Sequence, residues 1–341
     1  MRKEPKIILT IFLVLFVAVL FNVSLGSVSI PFKDILSSLF SGKSSQATWT
    51  YIILEYRLPK AITSIIVGSG LGISGLLMQT FFRNPLAGPY VLGLSSGAGL
   101  GVALLLMGSS LLGLGLSSAI WFSKTAIIAA SSLGSILVML AILITSSKIK
   151  DSMALLIIGL MFASLTGAVV NVLSYFSTSD ELQQFVFWSL GSLGDLSWVE
   201  VCILAVFWGI GLALCLFLIK PLDALLIGES YAKSLGVNIK FLRYLTVIAT
   251  CILTGSITAF AGPIAFVGLA IPHLMRLVIK TNQHLVMIPA VCFGGAFIML
   301  ICDSISQLPG SDYTLPINAV TSFLGAPVVI WLIMKSRQLN F

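Results

Sequence analysis

Long apolar runs constrain the fold of this chain more than any other feature of its sequence. About ten of them approach the roughly 20 residues that a helix needs to cross a bilayer. Only 9% of the residues are charged, whereas a soluble domain carries about 25%. The fold class expected is an all-α polytopic membrane protein, because a backbone in lipid must satisfy its own hydrogen bonds. The predicted spans lie near 7–25, 60–81, 91–110, 122–145, 153–175, 198–219, 244–261, 264–279, 285–303 and 314–334.

The segment 57–101 shows how neighbouring spans are expected to pack. Glycines recur four residues apart at Gly68 and Gly72, and again at 93, 97 and 101. In lipid, small residues at this spacing let helix backbones approach closely. The polar, proline-rich stretch 83–89 separates the two spans. Such a stretch is tolerated in a membrane only where protein buries it or water reaches it.

The distribution of positive charge predicts the orientation of the chain. With ten spans and a cytoplasmic amino terminus, fourteen of the nineteen Lys and Arg residues fall in cytoplasmic segments. This is the excess that the positive-inside rule describes. We therefore expect both termini in the cytoplasm. We attribute the net charge of +7 to topology rather than to nucleic-acid binding, because no basic cluster is interleaved with aromatic residues.

The chain carries no recognisable catalytic or metal-binding pattern. The tripeptide 42–44 (GKS) matches only the end of a P-loop, and Ser37 stands where the first glycine belongs. The five cysteines and two histidines lack the spacing of a metal site. Acidic residues within spans are nearly absent, and we interpret Asp303 as an interfacial residue rather than a proton relay. The expectation is a transport protein that is not an enzyme, binds no cofactor and draws energy from a partner.

The stretch 220–243 is the longest segment predicted on the cytoplasmic side. Its apolar residues have helical spacing, and Gly228 and Gly236 permit sharp turns. A short helix along the membrane, with a small-residue knob at Gly228, Glu229 and Ala232, would fit a cleft on a soluble protein. A helix that contacts lipid headgroups explains the same spacing. Spacing alone leaves both interpretations open.

Six motifs occur in an order and at distances that resemble one family of membrane proteins. They read RLPK, SGLLMQTFFRNPLAGPYVLGLSSGAG, LIGESYAKSLGV, FAGPIAFVGLAIPHLMR, LPIN and LGAPVVIWL. Over about 52–335 the chain resembles the FecCD/BtuC-type permeases of ABC importers for iron–siderophore complexes, haem and vitamin B12. The resemblance implies a BtuC-like fold of ten helices, a single permease domain over 1–341, and a place in the bacterial cytoplasmic membrane.

The resemblance also implies the partners of the chain. These are a second permease copy in a homodimeric pore, two cytoplasmic ATPases that use ATP and magnesium, and an extracytoplasmic binding protein that delivers cargo, within surrounding lipid. The family's GE-x-x-A-x-x-LG loop contacts the ATPase. In this sequence the coupling loop 220–243 matches it at Gly228, Glu229, Ala232, Leu235 and Gly236.

The resemblance places a docking site for the binding protein at the outer end of the second span. Arg57 and Lys60 match a basic pair that meets acidic residues of that protein. Two cations near a helix amino terminus oppose both the macrodipole and the positive-inside bias, so an acidic partner would explain them. Contact with headgroup phosphates is the alternative. A third basic position of some relatives aligns with Gln307, which leaves that contact in doubt.

The predicted gate and pathway rest on small and polar residues. Relatives narrow their cytoplasmic exit at the start of the fifth helix, where Ser152 and Met153 are the nearest matches. Two stripes at helical spacing are candidates for the pathway wall, although such stripes also serve helix packing. The candidates are Gly159, Ala163, Thr166 and Asn171 in span five, and Thr314, Asn318, Thr321 and Gly325 in span ten.

The function expected from the resemblance is that of the membrane-spanning permease subunit of an ATP-driven ABC importer. The cargo would be an iron chelate, such as a siderophore or haem, or vitamin B12. The alternative is a secondary carrier or channel that works without ATP. The scarcity of acids within spans and the long loop at 220–243 count against this alternative.

Overall fold

The computed structural model describes residues 4–108, 123–149, 152–308 and 313–335, and every regular element in these ranges is a helix. A π-helical segment, Ile52–Arg57, joins α3 to α4, and a 3₁₀ turn, Pro89–Leu92, precedes α5. The α-helices are α1 Glu4–Ser24, α2 Phe32–Ser41, α3 Ala47–Tyr51, α4 Leu58–Phe81, α5 Leu94–Leu106, α6 Lys124–Lys148, α7 Ser152–Phe176, α8 Ser179–Leu190, α9 Trp198–Ile227, α10 Glu229–Ser234, α11 Ile239–Ala261, α12 Val267–Ile279, α13 His284–Ser306 and α14 Ile317–Lys335.

Ten of these helices occupy the ten predicted apolar runs. Within the described ranges, seven helical stretches are long and apolar enough to cross a membrane, namely α1, the continuous stretch Ala47–Phe81, α6, α7, α9, α11 and α13. Three further apolar helices, α5, α12 and α14, are shorter. The prediction of an all-helical membrane protein is therefore confirmed.

Four of the described helices, α2, α3, α8 and α10, lie outside the predicted runs. At the start of α8, the Glu181 N–H donates to the Thr178 hydroxyl and the Thr178 N–H donates to the Glu181 carboxylate. This capping box is a readable start signal that a search for apolar runs misses. In α2, Asp34 accepts a hydrogen bond from the Ser45 N–H at 2.8 Å, which lowers the pKa of Asp34.

The chain forms two compact units, and each combines distant parts of the sequence. The first contains Met1–Gly72, Ser192–Val206 and Ile264–Phe341. The second contains Ile73–Gly191 and Phe207–Pro263. The first unit therefore needs residues from both ends of the chain. The single permease domain over 1–341 stays a prediction.

Within the first unit, α4 and α13 meet at backbone contact distance. A Cβ atom on Gly68 would lie 2.2 Å from the carbonyl oxygen of Gly295, so neither position has room for a side chain. Helix α1 packs beside them over an apolar core. The buried members of this core are Leu15, Ala18, Val23, Ile30, Ile35, Ile53, Ala61, Ala296 and Leu300.

Within the second unit, the glycines of α5 pack directly on α6. A Cβ atom on Gly101 would lie 2.0 Å from the Ala130 carbonyl oxygen, and one on Gly134 would lie 2.0 Å from the Gly97 carbonyl oxygen. Both obstacles are backbone atoms, which no side-chain rotation can move. The close packing predicted from the glycine spacing is therefore present.

Candidate docking and coupling sites

A buried carboxylate, Asp303, organises one end of the first unit. It lies at the carboxyl end of α13 and is 1% exposed. Lys60 Nζ lies 3.0 Å from its Oδ1, while the Asn22 Nδ2 and Gln307 Nε2 amides donate to its Oδ2 at 2.9 and 2.8 Å. We call Asn22, Lys60, Asp303 and Gln307 the Asp303 cluster. Protein atoms bury this carboxylate, and its interfacial position stays a prediction.

Arg57 lies beside this cluster and caps the end of α1. Its guanidinium donates to the carbonyl oxygens of Val23 and Ser24, at 3.0 and 3.1 Å, and to that of Val28. Carbonyls at a helix carboxyl terminus lack partners within the helix and carry partial negative charge, so a cation there is favourable. Arg57 is 9% exposed. Its donors are therefore used within this chain, where they stabilise the fold.

The three predicted docking residues come together at this end of the unit, each with an internal partner. Lys60 keeps a side-chain exposure of 21%, while its partner Asp303 is buried. Arg57 and Gln307 offer little surface. Docking at Arg57, Lys60 and Gln307 stays a prediction, and its geometric support is strongest at Lys60. Sequence reasoning did not identify Asn22 and Asp303 as parts of this site. An acidic residue near the end of a span indicates a nearby cation, and this was the available signal.

The predicted coupling loop contains a short helix, α10, between two glycine turns. Gly228 has φ +145° and Gly236 has φ +82°, and both values lie where glycine is favoured over other residues. Lys233 Nζ lies 2.8 Å from Glu229 Oε1 in an exposed i, i+4 ion pair. Beyond the helix, the Val237 N–H donates to the Ala232 carbonyl oxygen at 3.0 Å, which fixes the exit of the chain.

The exposed surface of the loop differs from the predicted knob at one residue. Ala232 is 0% exposed, so its methyl group faces the interior rather than a partner. A Cβ atom added at Gly228 or Gly236 would meet no heavy atom within 4 Å, so open space surrounds both glycines. The larger accessible side chains form what we call the α10 surface: Ile227, Glu229, Tyr231, Lys233 and Leu235.

Arg243, which sequence reasoning counted only as a positive charge, connects two helices of the second unit. It lies in the second turn of α11 and is 7% exposed. Its Nη1 donates to the carbonyl oxygen of Ser146 at 3.3 Å and to that of Ile149, at the carboxyl end of α6. The guanidinium also lies 6.0 Å from the ring centroid of Phe81.

The predicted gate lies at the start of α7. The helix begins at Ser152, as the prediction of a helix start there requires. The side chains of Ser152 and Met153 lie outside the described part of the chain. A gating role for these two residues stays a prediction.

The stripe on α7 packs against the 3₁₀ turn that precedes α5. A Cβ atom on Gly159 would lie 2.2 Å from the Val91 carbonyl oxygen. Ala163 approaches Gly93, and the buried Thr166 hydroxyl donates within the helix to the Ala163 carbonyl oxygen at 3.0 Å. Asn171 is exposed on another face. The first three residues therefore have a packing role, and a pathway role for the stripe stays a prediction.

The stripe on α14 is also engaged within the first unit. The Asn318 side chain accepts a hydrogen bond from the Ala265 N–H at 3.1 Å, and Gly325 faces Phe266, whose φ is +66°. Thr321 and Gly325 line an apolar cavity of about 150 Å³ among α12, α13 and α14. Thr314 is exposed. Lining of a transport pathway by these residues stays a prediction.

Comparisons with known proteins agree along nearly the whole chain. The model of the FecCD transport family matches residues 13–335. The hemin transport system permease protein HmuU of Yersinia pestis is 32% identical over 345 residues, which cover 99% of this chain and 98% of HmuU. The vitamin B12 import system permease protein BtuC of Citrobacter koseri is 34% identical over 300 residues, which cover 88% of this chain and 86% of BtuC.

Two solved structures share the fold. One is assigned to the metal-chelate type of ABC transporter in an inward-facing conformation; it has a TM-score of 0.84 and 29% identity, over 97% of this chain and 99% of that one. The other is PsaBC from Streptococcus pneumoniae in complex with Fab, with a TM-score of 0.55 and 17% identity over 91% and 99%. The second similarity concerns the fold alone.

Proposed function

This chain belongs to the FecCD transport family of ABC importer permeases, in which the ATPase is a separate subunit, and we propose that it conducts a bulky metal chelate inward across the bacterial cytoplasmic membrane. Relatives similar to it over most of their length are named for hemin and vitamin B12, which are both large metal chelates. This shared chemistry supports a cargo of the same class, with siderophore complexes included. No tight site within the membrane is needed when a binding protein supplies the affinity.

The proposed assembly has two permease copies, two ATPases on the cytoplasmic side and one binding protein on the other side. The charge distribution supports cytoplasmic termini. In that orientation the α10 surface faces the cytoplasm and the Asp303 cluster lies at the outer face. Lys60 would then meet an acidic side chain of the binding protein, while Arg57 holds the adjoining chain in place.

The α10 surface is the observation that carries the proposed coupling to ATP hydrolysis. It places Tyr231 and Leu235 in the open beside the ion pair of Glu229 and Lys233. Apolar side chains next to a charged pair are typical of a surface that binds a protein. Binding removes the apolar area from water, and complementary charges on the partner give specificity. Closure of the ATPases would move α10 and switch the transport pathway between its outward-open and inward-open states.

Charge and polarity changes on the α10 surface test this coupling. We expect Glu229→Arg with Leu235→Asp to lower the ATPase that co-purifies with the permease by about 30-fold, since interface hot spots contribute at least 2 kcal/mol. Uptake driven by ATP should be lost with it. Ala232 is left unchanged, because a substitution at this buried position would disturb packing rather than docking.

The matched control is Asp180→Arg, which makes an equivalent charge reversal in the first turn of the exposed helix α8. Its co-purification with the ATPase should equal that of the native chain. Native co-purification and uptake in the Glu229 and Leu235 double variant would rule out the α10 surface as the ATPase contact.

A further inference from the structure

Arg243 bridges two helix ends that are far apart in the sequence. It contacts carbonyl oxygens of Ser146 and Ile149 at the end of α6, almost a hundred residues earlier in the chain. Both oxygens belong to the terminal region of α6, where carbonyls lack partners within the helix. A guanidinium suits this position because one of its nitrogens, Nη1, donates to both oxygens and its charge opposes the negative end of the helix dipole.

The surroundings of Arg243 hold the guanidinium in place. Its side chain is buried in the second unit, with the ring centroid of Phe81 at 6.0 Å from it. Cation–π contacts strengthen as water is excluded. Both carbonyl contacts come from a single nitrogen, Nη1. A lysine at this position would keep the charge, but its shorter side chain lacks the guanidinium plane beside the Phe81 ring and brings its nitrogen less far toward the two carbonyl oxygens.

The same residue lies a short way along the chain from α10. The Val237 N–H is bonded to the Ala232 carbonyl oxygen, and the Asn238 side chain accepts from the Phe241 N–H at 3.1 Å to cap α11. Arg243 follows Asn238 by five residues, which is about 7.5 Å of helix rise. These hydrogen bonds fix the chain at the exit of α10 and at the start of α11.

We infer that Arg243 is a positioning residue that ties α10 to the carboxyl end of α6, so that a displacement of α10 moves the end of α6 with it. This inference rests on the proposed function, because α10 is displaced only if it meets an ATPase. Arg243 would transmit the displacement of α10 to α6 within a single permease copy. The contact lies at the α6 terminus that leads toward α7, the helix whose start carries the predicted gate.

The first test measures coupling in the complete transporter. Permease variants are reconstituted in proteoliposomes with the partner ATPase and the loaded binding protein, and cargo uptake per ATP hydrolysed is measured. We expect Arg243→Lys to lower this ratio by about fivefold or more, the lower range of typical coupling energies, while ATPase co-purification stays native. Lys240→Met is the matched control, because it removes an exposed cation one turn earlier in α11 and should leave the ratio unchanged.

A second measurement applies even if uptake in the variant is too weak to quantify. Spin labels at Ile144 and Lys240, both exposed, report the distance between the end of α6 and the start of α11. In the native background we expect one narrow distance that nucleotide leaves unchanged, because the two ends move together. In Arg243→Lys the distance should be broader already in the permease alone, and it should shift when nucleotide is added to the complete transporter.

Each outcome decides the inference. A native uptake ratio in Arg243→Lys overturns it, and so does a native-background distance that changes with nucleotide. Loss of ATPase binding in Arg243→Lys also overturns it, because Arg243 would then shape the docking surface itself. If the native chain never binds an ATPase, the proposed function fails. A narrow distance in the isolated permease that broadens in Arg243→Lys would still show that Arg243 connects α6 to α11.

Discussion

Gly134→Ala in α6 is expected to lower the stability of the protein by at least about 3 kcal/mol, the upper end of the usual cost of overpacking. The added methyl group would lie 2.0 Å from the Gly97 carbonyl oxygen and 3.0 Å from the Gly101 backbone nitrogen. Relief requires α5 and α6 to separate, because both obstacles are backbone atoms. Thermal unfolding of the purified protein in detergent, followed by its tryptophan fluorescence, measures the loss.

Gly167→Ala in α7 is the matched control for this prediction. It is the same substitution inside another apolar helix, but no heavy atom lies within 4 Å of the added methyl group. Alanine is the better helix former by about 1 kcal/mol, so the control should unfold at the same or a higher temperature. Equal stability of the two variants would show that α5 and α6 do not approach as closely as described.

Lys60→Ala is expected to have the second large effect, because it leaves the Asp303 carboxylate buried without its cation. Breaking a buried ion pair by removing one partner costs about 3–5 kcal/mol, and the lower end applies here because Lys60 is partly exposed. The amides of Asn22 and Gln307 still donate to Asp303, but neither carries a compensating charge. The unfolding temperature should fall well below that of Lys43→Ala, which removes an exposed lysine.

A second substitution separates this charge effect from lost packing. In the Lys60→Ala background, Asp303→Asn removes the uncompensated charge and keeps a side chain of the same shape. We expect the double variant to recover most of the lost stability, so the two effects should be far from additive. Additive losses would show that Lys60 does not neutralise Asp303. The same two variants separate a docking role of Lys60 from a structural one. If Lys60 contacts the binding protein, docking should stay impaired in the double variant even though its stability has recovered.

The helices that cross the membrane could be predicted from the sequence because hydropathy alone specifies them. Their ends were less certain. The sixth run was expected to end at residue 219, before Pro221, yet α9 continues through this proline to Ile227. Proline removes one N–H and crowds the preceding turn, but neighbouring groups in a membrane protein can compensate for both. The predicted coupling loop 220–243 therefore begins inside α9.

Sequence reasoning names candidate residues but not their geometry. Spacing in the sequence placed Arg57 and Lys60 together, but their partners come from α1 and α13 and depend on tertiary packing. Ala232 matched a family motif, yet which side of a six-residue helix faces inward is not readable from its sequence. Arg243 carried no local signal at all. Its role depends on carbonyl groups at the end of another helix.

Family membership decides between the two functions that the sequence left open. An ATP-independent carrier or channel was the alternative, and no nucleotide site is readable in the chain. In the FecCD transport family the ATPase is a separate subunit, so the missing P-loop is expected. The two stripes on α7 and α14 show the limit of this reasoning. Close packing in the structure explains most of their small residues without a pathway.

Uptake by the reconstituted complex tests the proposed function most directly. Proteoliposomes would contain this permease and its ATPase, with ATP enclosed on the ATPase side and haem- or cobalamin-loaded binding protein on the other. Cargo that enters the vesicles is quantified by its visible absorbance. We expect uptake only when ATP, the ATPase and the binding protein are all present. Uptake driven by an ion gradient across vesicles that hold the permease alone would contradict the proposal.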